Sequence, residues 1–220
     1  MRLKLKLSKN KTTVPFNYQQ KLVGTIHKWM GRNDEHGKQS VFSFSQLQSG
    51  EVMKNGFNFP EGSTLYFSST DNKLLTNIYK GIKDDPTLFC GLKVYEIDMI
   101  SEPAFRNRER FPLLSPLFFK QKIEGKNKPK HFTFEDEETE ILLTEAVKRR
   151  LEFNEIPDDT LKITFDKTYQ GKKTKVINYR GIGNKTSVCP IIVEGKFDSM
   201  EFLWNNGVGH STGIGFGCLK

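Results

Sequence analysis

Four histidines are present, and imidazole is the one side chain whose ordinary pKa lies near neutrality. Two of them, His27 and His36, fall close together in the first half of the chain. A histidine pair suits general acid–base work, with one ring removing a proton and the other delivering one. Nearby lysine or arginine suits the charge that such a reaction develops. The second stretch that can do chemistry is Gly207-Val-Gly-His-Ser-Thr-Gly-Ile-Gly-Phe-Gly217, with five glycines. Glycine reaches backbone angles closed to other residues and lets another backbone come very near. Bare N–H groups in such a loop suit a phosphate.

Two common phosphate loops do not match. A dinucleotide fingerprint needs Gly-x-Gly-x-x-Gly between a strand and a helix, and here the third glycine, Gly213, comes one position late. A Walker A loop needs Gly-x4-Gly-Lys-[Ser/Thr]. At Gly171-Lys172, Lys173 stands in place of the hydroxyl residue and Asp166 in place of the first glycine. The regular spacing and the apolar Ile214, Phe216 and Leu219 argue against a disordered tail.

The chain has 220 residues, enough for one large domain or two small ones. Lys plus Arg number 34 against 26 acids, a net charge of +8. Most of the excess lies in residues 1–110, with 17 basic and 11 acidic residues. That balance points to a polyanion, whether RNA, DNA or anionic lipid. No stretch has the roughly 18 apolar residues of a membrane span, and the alternating start has no signal-peptide core. Cys90, Cys189 and Cys218 are far apart and odd in number, which suits a reducing cytoplasm and argues against structural zinc. With no carboxylate cluster or Cys/His set, no metal and no cofactor is expected.

Arg2, Lys4 and Lys6 alternate with Leu3, Leu5 and Leu7, the pattern of a strand with one buried and one cationic face. Residues 16–30 read as a helix with Gly31 as its stop. Strands are expected over 41–45 and 64–68, a helix over 71–82 with Asp71 as N-cap, and a strand over 88–100. A second pass reads an edge strand over 111–119, a basic hairpin tip over 120–130 and a helix over 136–153. Strands follow over 161–165 and 188–193, then a short helix over 197–204 and a last strand over 214–219. Both passes run strand, helix, strand, strand, helix, strand. The fold class expected is α+β: two tandem ferredoxin-like units, 1–105 and 106–220, the second carrying the glycine-rich loop.

Two such units ending in a Gly-φ-Gly-x5-Gly-φ-Gly loop (φ apolar) resemble the RAMP superfamily of CRISPR-associated proteins. The basic first strand, the helix segment from Pro15 to His27 and the strand Val41-Phe-Ser-Phe-Ser45 make the chain similar, within that superfamily, to the Cas six family. Those are endoribonucleases that cut precursor CRISPR RNA within its repeats. The resemblance spans the whole chain. It implies attack of a 2′-hydroxyl on the adjacent phosphate, leaving a 2′,3′-cyclic phosphate and a 5′-hydroxyl, with no metal. It carries the catalytic role to His36, in the loop before 41–45, with His27 as partner. Lys38 is the nearest lysine to complete the set, and Ser40 stands next to the strand. The first unit would then carry the cutting residues.

The resemblance implies CRISPR repeat RNA as partner, leaves room for other CRISPR effector subunits and for a homodimer, and implies a cytoplasmic protein. Candidate RNA contacts are Arg2, Lys4, Lys6, Arg32, Gly207, Gly209, His210, Ser211, Thr212, Gly213 and Gly215. Two further basic clusters occur, Lys120, Lys122, Lys126, Lys128 and Lys130 in one, and Lys172, Lys173, Lys175, Arg180 and Lys185 on a hairpin. His131, at the start of an apolar strand, reads as structural. The alternatives are a non-catalytic RAMP-type RNA-binding subunit of a CRISPR effector complex and a generic ferredoxin-like nucleic-acid-binding module. Neither needs the histidine pair.

Overall fold

The computed structural model describes residues 1–31, 40–125 and 127–220. The first half runs β1 (Arg2–Leu7), α1 (Gln19–Met30), β2 (Phe42–Phe44), β3 (Glu51–Met53), β4 (Gly56–Asn58), β5 (Ser63–Ser69), α2 (Asn72–Asp84) and β6 (Val94–Ile100). Four of these strands form an antiparallel sheet in the order β2-β5-β1-β6. This is the ferredoxin-like arrangement, with the β3–β4 hairpin inserted between its second and third strands. The period of two sends Leu3, Leu5 and Leu7 into the core. They meet Leu22, Val23 and Ile26 of α1 and Leu74, Leu75 and Ile78 of α2. Asp71 caps α2 as expected, its side chain accepting from Lys73 N and Leu74 N.

The second half runs β7 (Arg108–Phe111), β8 (Phe119–Gln121), β9 (Lys130–Phe132), α3 (Thr139–Phe153), β10 (Lys162–Phe165), β11 (Lys173–Tyr179), β12 (Ile182–Val188), β13 (Ile191–Glu194), α4 (Phe197–Asn206) and a 3-10 turn (Thr212–Ile214). Its sheet has the order β10-β13-β7. Beyond β7 the chain end takes the fourth place. Leu114 N donates to Cys218 O and Lys220 N to Pro112 O, each at 2.8 Å, around a Leu113–Leu219 bridge. The strand order of the first sheet is thus repeated, with hairpins β8–β9 and β11–β12 added. α3 and α4 bury Leu143, Val147, Leu151, Met200 and Leu203 against this second sheet. The tandem ferredoxin-like class expected from the sequence is the class observed.

Several elements differ from expectation for local reasons. The strand over 111–119 is instead β7, which ends at Phe111, and the following prolines Pro112 and Pro116 leave an irregular segment. The strand over 188–193 is broken by Pro190 into the ends of β12 and β13. The last strand shrinks to the 3-10 turn and a single bridge, because Gly215 and Gly217 have φ of 85° and 63°, outside any pleat. Arg2 also departs from the open cationic face expected of β1. It is 2% exposed, its guanidinium lies 3.7 Å from the Trp204 ring centroid, and it donates to Ser68 Oγ and Trp204 O at 2.7 Å each. It ties the first sheet to α4, so it is not an open phosphate contact. Lys6 stays on the sheet surface, where Glu96 (2.6 Å) and Asp98 (3.7 Å) of β6 pair with it.

A Cβ at Gly217 would collide with the carbonyl oxygen of Val208. Gly217→Ala is expected to cost roughly 2–4 kcal/mol, a fall of about 5–15 °C in thermal midpoint for a chain of this size. Gly24→Ala, on an open side of α1 with nothing near its Cβ, should leave the midpoint unchanged or raise it.

Candidate functional site

The glycine-rich loop leaves α4 and wedges between the two halves. A Cβ on Gly207 would lie 2.9 Å from Ser43 Cβ, Gly209 faces the Phe118 carbonyl, and Gly215 faces Phe44 and Gln19. A Cβ on Gly213 would lie 2.7 Å from Ser40 Oγ. Glycine is needed here because backbone meets backbone or an aromatic ring with no room for a side chain. Val208, Phe216, Cys218 and Leu219 are fully buried. What reaches the surface is a short crest, with Ser211 exposed and Gly209, His210, Gly213 and Ile214 half-buried. The N–H groups of Gly209, Ser211, Thr212 and Gly213 donate to no acceptor among the described residues.

Two buried polar side chains set where this crest sits. Gln19, in the first turn of α1 and 3% exposed, donates to the carbonyl oxygens of Ile214 and Gly215. Arg150 of α3, 6% exposed, donates to Gly207 O (2.8 Å), Asn206 O (3.0 Å) and Ser40 O (2.9 Å). Among the described residues it has no carboxylate partner. The carbonyl end of α4, the negative pole of that helix, compensates its charge. Burial lowers its pKa to about 10, so it stays a cation at neutral pH. Arg150 thus binds the root of the glycine loop to Ser40, two residues before β2.

His36, Lys38 and Arg32 lie outside the described residues, as does Lys126. Gly31 ends α1 with φ 68°, its N–H bonded to His27 O and Lys28 O. His27 is half-buried in the last turn of α1. Lys28, beside it, pairs with Asp85 at 2.9 Å. Ser40, on the far side of the undescribed segment, touches the glycine crest. The described flank of the candidate catalytic loop and the glycine loop, far apart in sequence, are therefore adjacent. Lys4 is half-buried on β1.

His210 stacks on Phe119 (centroids 5.0 Å, planes 12° apart), and its Nδ1 accepts from Lys120 N at 3.3 Å. Burial pushes its pKa below the ordinary imidazole value, and Lys120 and Arg150 add to the shift. His131 sits edge-on to Phe118 at 5.0 Å, and its Nδ1 accepts from Lys185 N. Burial and Lys120 lower it too. The role of His131 inside the fold agrees with its structural reading. Sequence reasoning missed Gln19 and Arg150 as organising residues. The signal was available: Gln19 shares the buried stripe of Leu22, Val23 and Ile26, and Arg150 that of Leu143, Val147 and Leu151. A polar residue on an apolar helix stripe must find buried partners.

The fold is thus two ferredoxin-like sheets closed by a glycine-rich loop. The chain superposes on a Cas6-related protein of Pyrococcus furiosus with a TM-score of 0.86 and 23% identity, covering 100% of this chain and 97% of that one. It superposes equally on a RAMP protein that binds different RNA substrates, with a TM-score of 0.85, 22% identity and coverage of 100% and 98%. Residues 100–220 match the family described as CRISPR-associated protein Cas6, C-terminal, and the chain belongs to that family. Along its whole length it is similar to a CRISPR-associated endoribonuclease Cas6 of Methanocaldococcus jannaschii, 25% identical over 236 residues, covering 100% of this chain and 92% of the relative. Among the described residues no helix is long and apolar enough to cross a membrane.

Two measurements test this geometry. Arg150→Gln leaves buried carbonyls without their donor and is expected to cost about 3 kcal/mol in denaturant unfolding. His210 and His131 both favour the neutral form in the folded state. Protons therefore bind the unfolded chain more readily in the window just below the ordinary histidine pKa of about 6.5. Their contribution is complete above that value and is lost as pH falls through the window. His210→Gln should flatten the decline of the unfolding midpoint between about pH 7 and 5.

Proposed function

We propose that this chain is an endoribonuclease that cleaves precursor CRISPR RNA within its repeats, without a metal ion, by attack of a 2′-hydroxyl on the adjacent phosphate. The observation that carries the reading is the contact of the glycine crest with Ser40. It sets a row of undonated N–H groups beside the end of the segment that holds His36 and Lys38. Membership of the Cas6 family supports the endoribonuclease class.

RNA supplies its own nucleophile, so the protein has to align the backbone, move two protons and stabilise the phosphorane. In this reading His36 is the general acid or base, and His27 is its partner from the end of α1. Lys38 offsets the developing negative charge. The crest at Gly209, Ser211, Thr212 and Gly213 holds phosphate oxygens, and the ring of His210 borders it. Proton transfer from one oxygen and to the other leaves a 2′,3′-cyclic phosphate and a 5′-hydroxyl. The unit 1–105 then carries the cutting residues and the unit 106–220 the clamp. Arg150 and Gln19 position both without touching RNA. Lys4 and Arg32 add charge along the path of the strand.

Cleavage of repeat RNA in excess EDTA is the expected result. A single 2′-deoxy nucleotide at the scissile position should block it, and His36→Ala should slow it by about 10²–10⁴-fold. Normal cutting of the deoxy substrate would overturn the mechanism. Tight RNA binding with no cleavage by the wild-type protein would favour the non-catalytic RAMP subunit instead.

A further inference from the structure

A cleft of about 300 Å³ opens at the start of α1, between the loop after β2, the β3–β4 hairpin, the segment after β7 and the inner face of the β11–β12 hairpin. It lies at the opposite end of α1 from His27. By helix geometry that is roughly 12–14 Å away along the axis. Its walls are of two kinds. Phe57, Leu113 and Val188 make an apolar side. Phe57 is half-buried, and Phe16 at 5.1 Å and Tyr18 at 6.1 Å hold it edge-on. The other side carries Lys173 and Lys175.

Among the described residues neither Lys173 nor Lys175 has a carboxylate within ion-pair distance, whereas Lys185 on the neighbouring strand β12 pairs with Glu135. Two positions apart on β11, they point to the same face, roughly 7 Å from one another along the strand. The register pairs Lys173 with Val188, so the charges stand directly beside the apolar wall. Burial and the charge of Lys173 both push the Lys175 pKa down. The Gln46 side-chain amide, also lining the cleft, makes no hydrogen bond among the described residues. Its backbone is fixed by Leu114 O and by the Gln48 side chain.

We propose that this cleft is a second RNA subsite, which takes one unstacked nucleotide of the single strand: its base lies against Phe57 within reach of Gln46, and its flanking phosphates lie on Lys173 and Lys175. An acidic peptide would satisfy the lysines and leave the aromatic wall unfilled. An unstacked nucleotide uses both, since every base has a face to stack and every step a phosphate. A cleft of about 300 Å³ has room for a single base. The subsite would set how far from the cleaved bond an upstream or downstream base is held, and thereby help to choose the bond. The proposal rests on RNA being the ligand, and does not require that the RNA be cut.

The test is fluorescence titration of labelled repeat RNA, and of oligouridylate as a generic single strand, against wild type, a K173A/K175A variant and Phe57→Leu. The lysine variant should bind both RNAs about tenfold more weakly at 0.1 M salt. Its log–log salt slope should be smaller by roughly 1.4, two single-strand phosphate contacts. Abasic substitution, moved along the repeat, should find one position that weakens binding to wild type about tenfold and Phe57→Leu much less. A 4-thiouridine at that position should crosslink to peptides carrying Phe57 or Lys173. An unchanged salt slope with no abasic position that separates the proteins would overturn the subsite. That outcome with normal cleavage leaves the proposed activity standing, whereas RNA bound as described but never cleaved removes the activity and keeps the subsite. The lysines are exposed, so their replacement spares the fold, which an unchanged thermal midpoint verifies.

Discussion

Glycine backbone packed directly on side chains of the first half joins the two halves of this protein. The glycine loop can enter only because five positions lack a Cβ: Gly217 against Val208, Gly209 against Phe118, and Gly207, Gly213 and Gly215 against Ser43, Ser40 and Phe44. Such contacts bury amide groups, and every buried amide needs a partner. Gln19 and Arg150 meet part of that need from opposite halves. Their side chains are inside the protein, while the N–H groups left without partners among the described residues belong to the crest, where Ser211 is exposed, Gly209 and Gly213 are half-buried and Thr212 is buried. The same constraint that closes the fold therefore builds the surface at which a phosphate can bind.

Charge is divided in the same way. Arg2 and Arg150 are buried structural cations, held by an indole ring and by carbonyl oxygens. Lys6, Lys28 and Lys130 are neutralised by neighbouring carboxylates. Lys173 and Lys175 of β11 have no such partner among the described residues. Exposed pairs add little stability, and on the hairpin Lys185 has such a pair with Glu135 while Lys173 and Lys175 present their charge to the cleft. The β11–β12 hairpin packs Ile177 against Phe118 and Phe216. Its inner face is thereby fixed to the same loop that forms the crest.

Much of the fold was legible in the residues. Leu3, Leu5 and Leu7 marked a strand by their period, Asp71 marked a helix start, and Gly31 marked a helix stop. The tandem arrangement and the Cas6 resemblance rested on the order of such elements plus the glycine spacing. The β3–β4 hairpin escaped notice because each strand has three residues and Val52 and Met53 face solvent. The fate of Arg2 was hidden because alternation says which face a residue takes, and not that Trp204 will cover it. The glycine loop was read as an open cradle. Most of it is a packing device, and only the steric environment of each missing Cβ reveals this. The chemistry-bearing pair was partly legible too: His27 lies at the end of α1 as its pattern required, and the assignment of His36 and Lys38 remains the proposal made from the resemblance.

A crystal structure of the protein with repeat RNA carrying a 2′-deoxy nucleotide at the scissile position tests the central relation most directly. The account predicts that the scissile phosphate lies between the Ser211–Gly213 crest and Ser40, hydrogen-bonded to the crest N–H groups. A scissile phosphate bound elsewhere, with the crest N–H groups facing water, would contradict it.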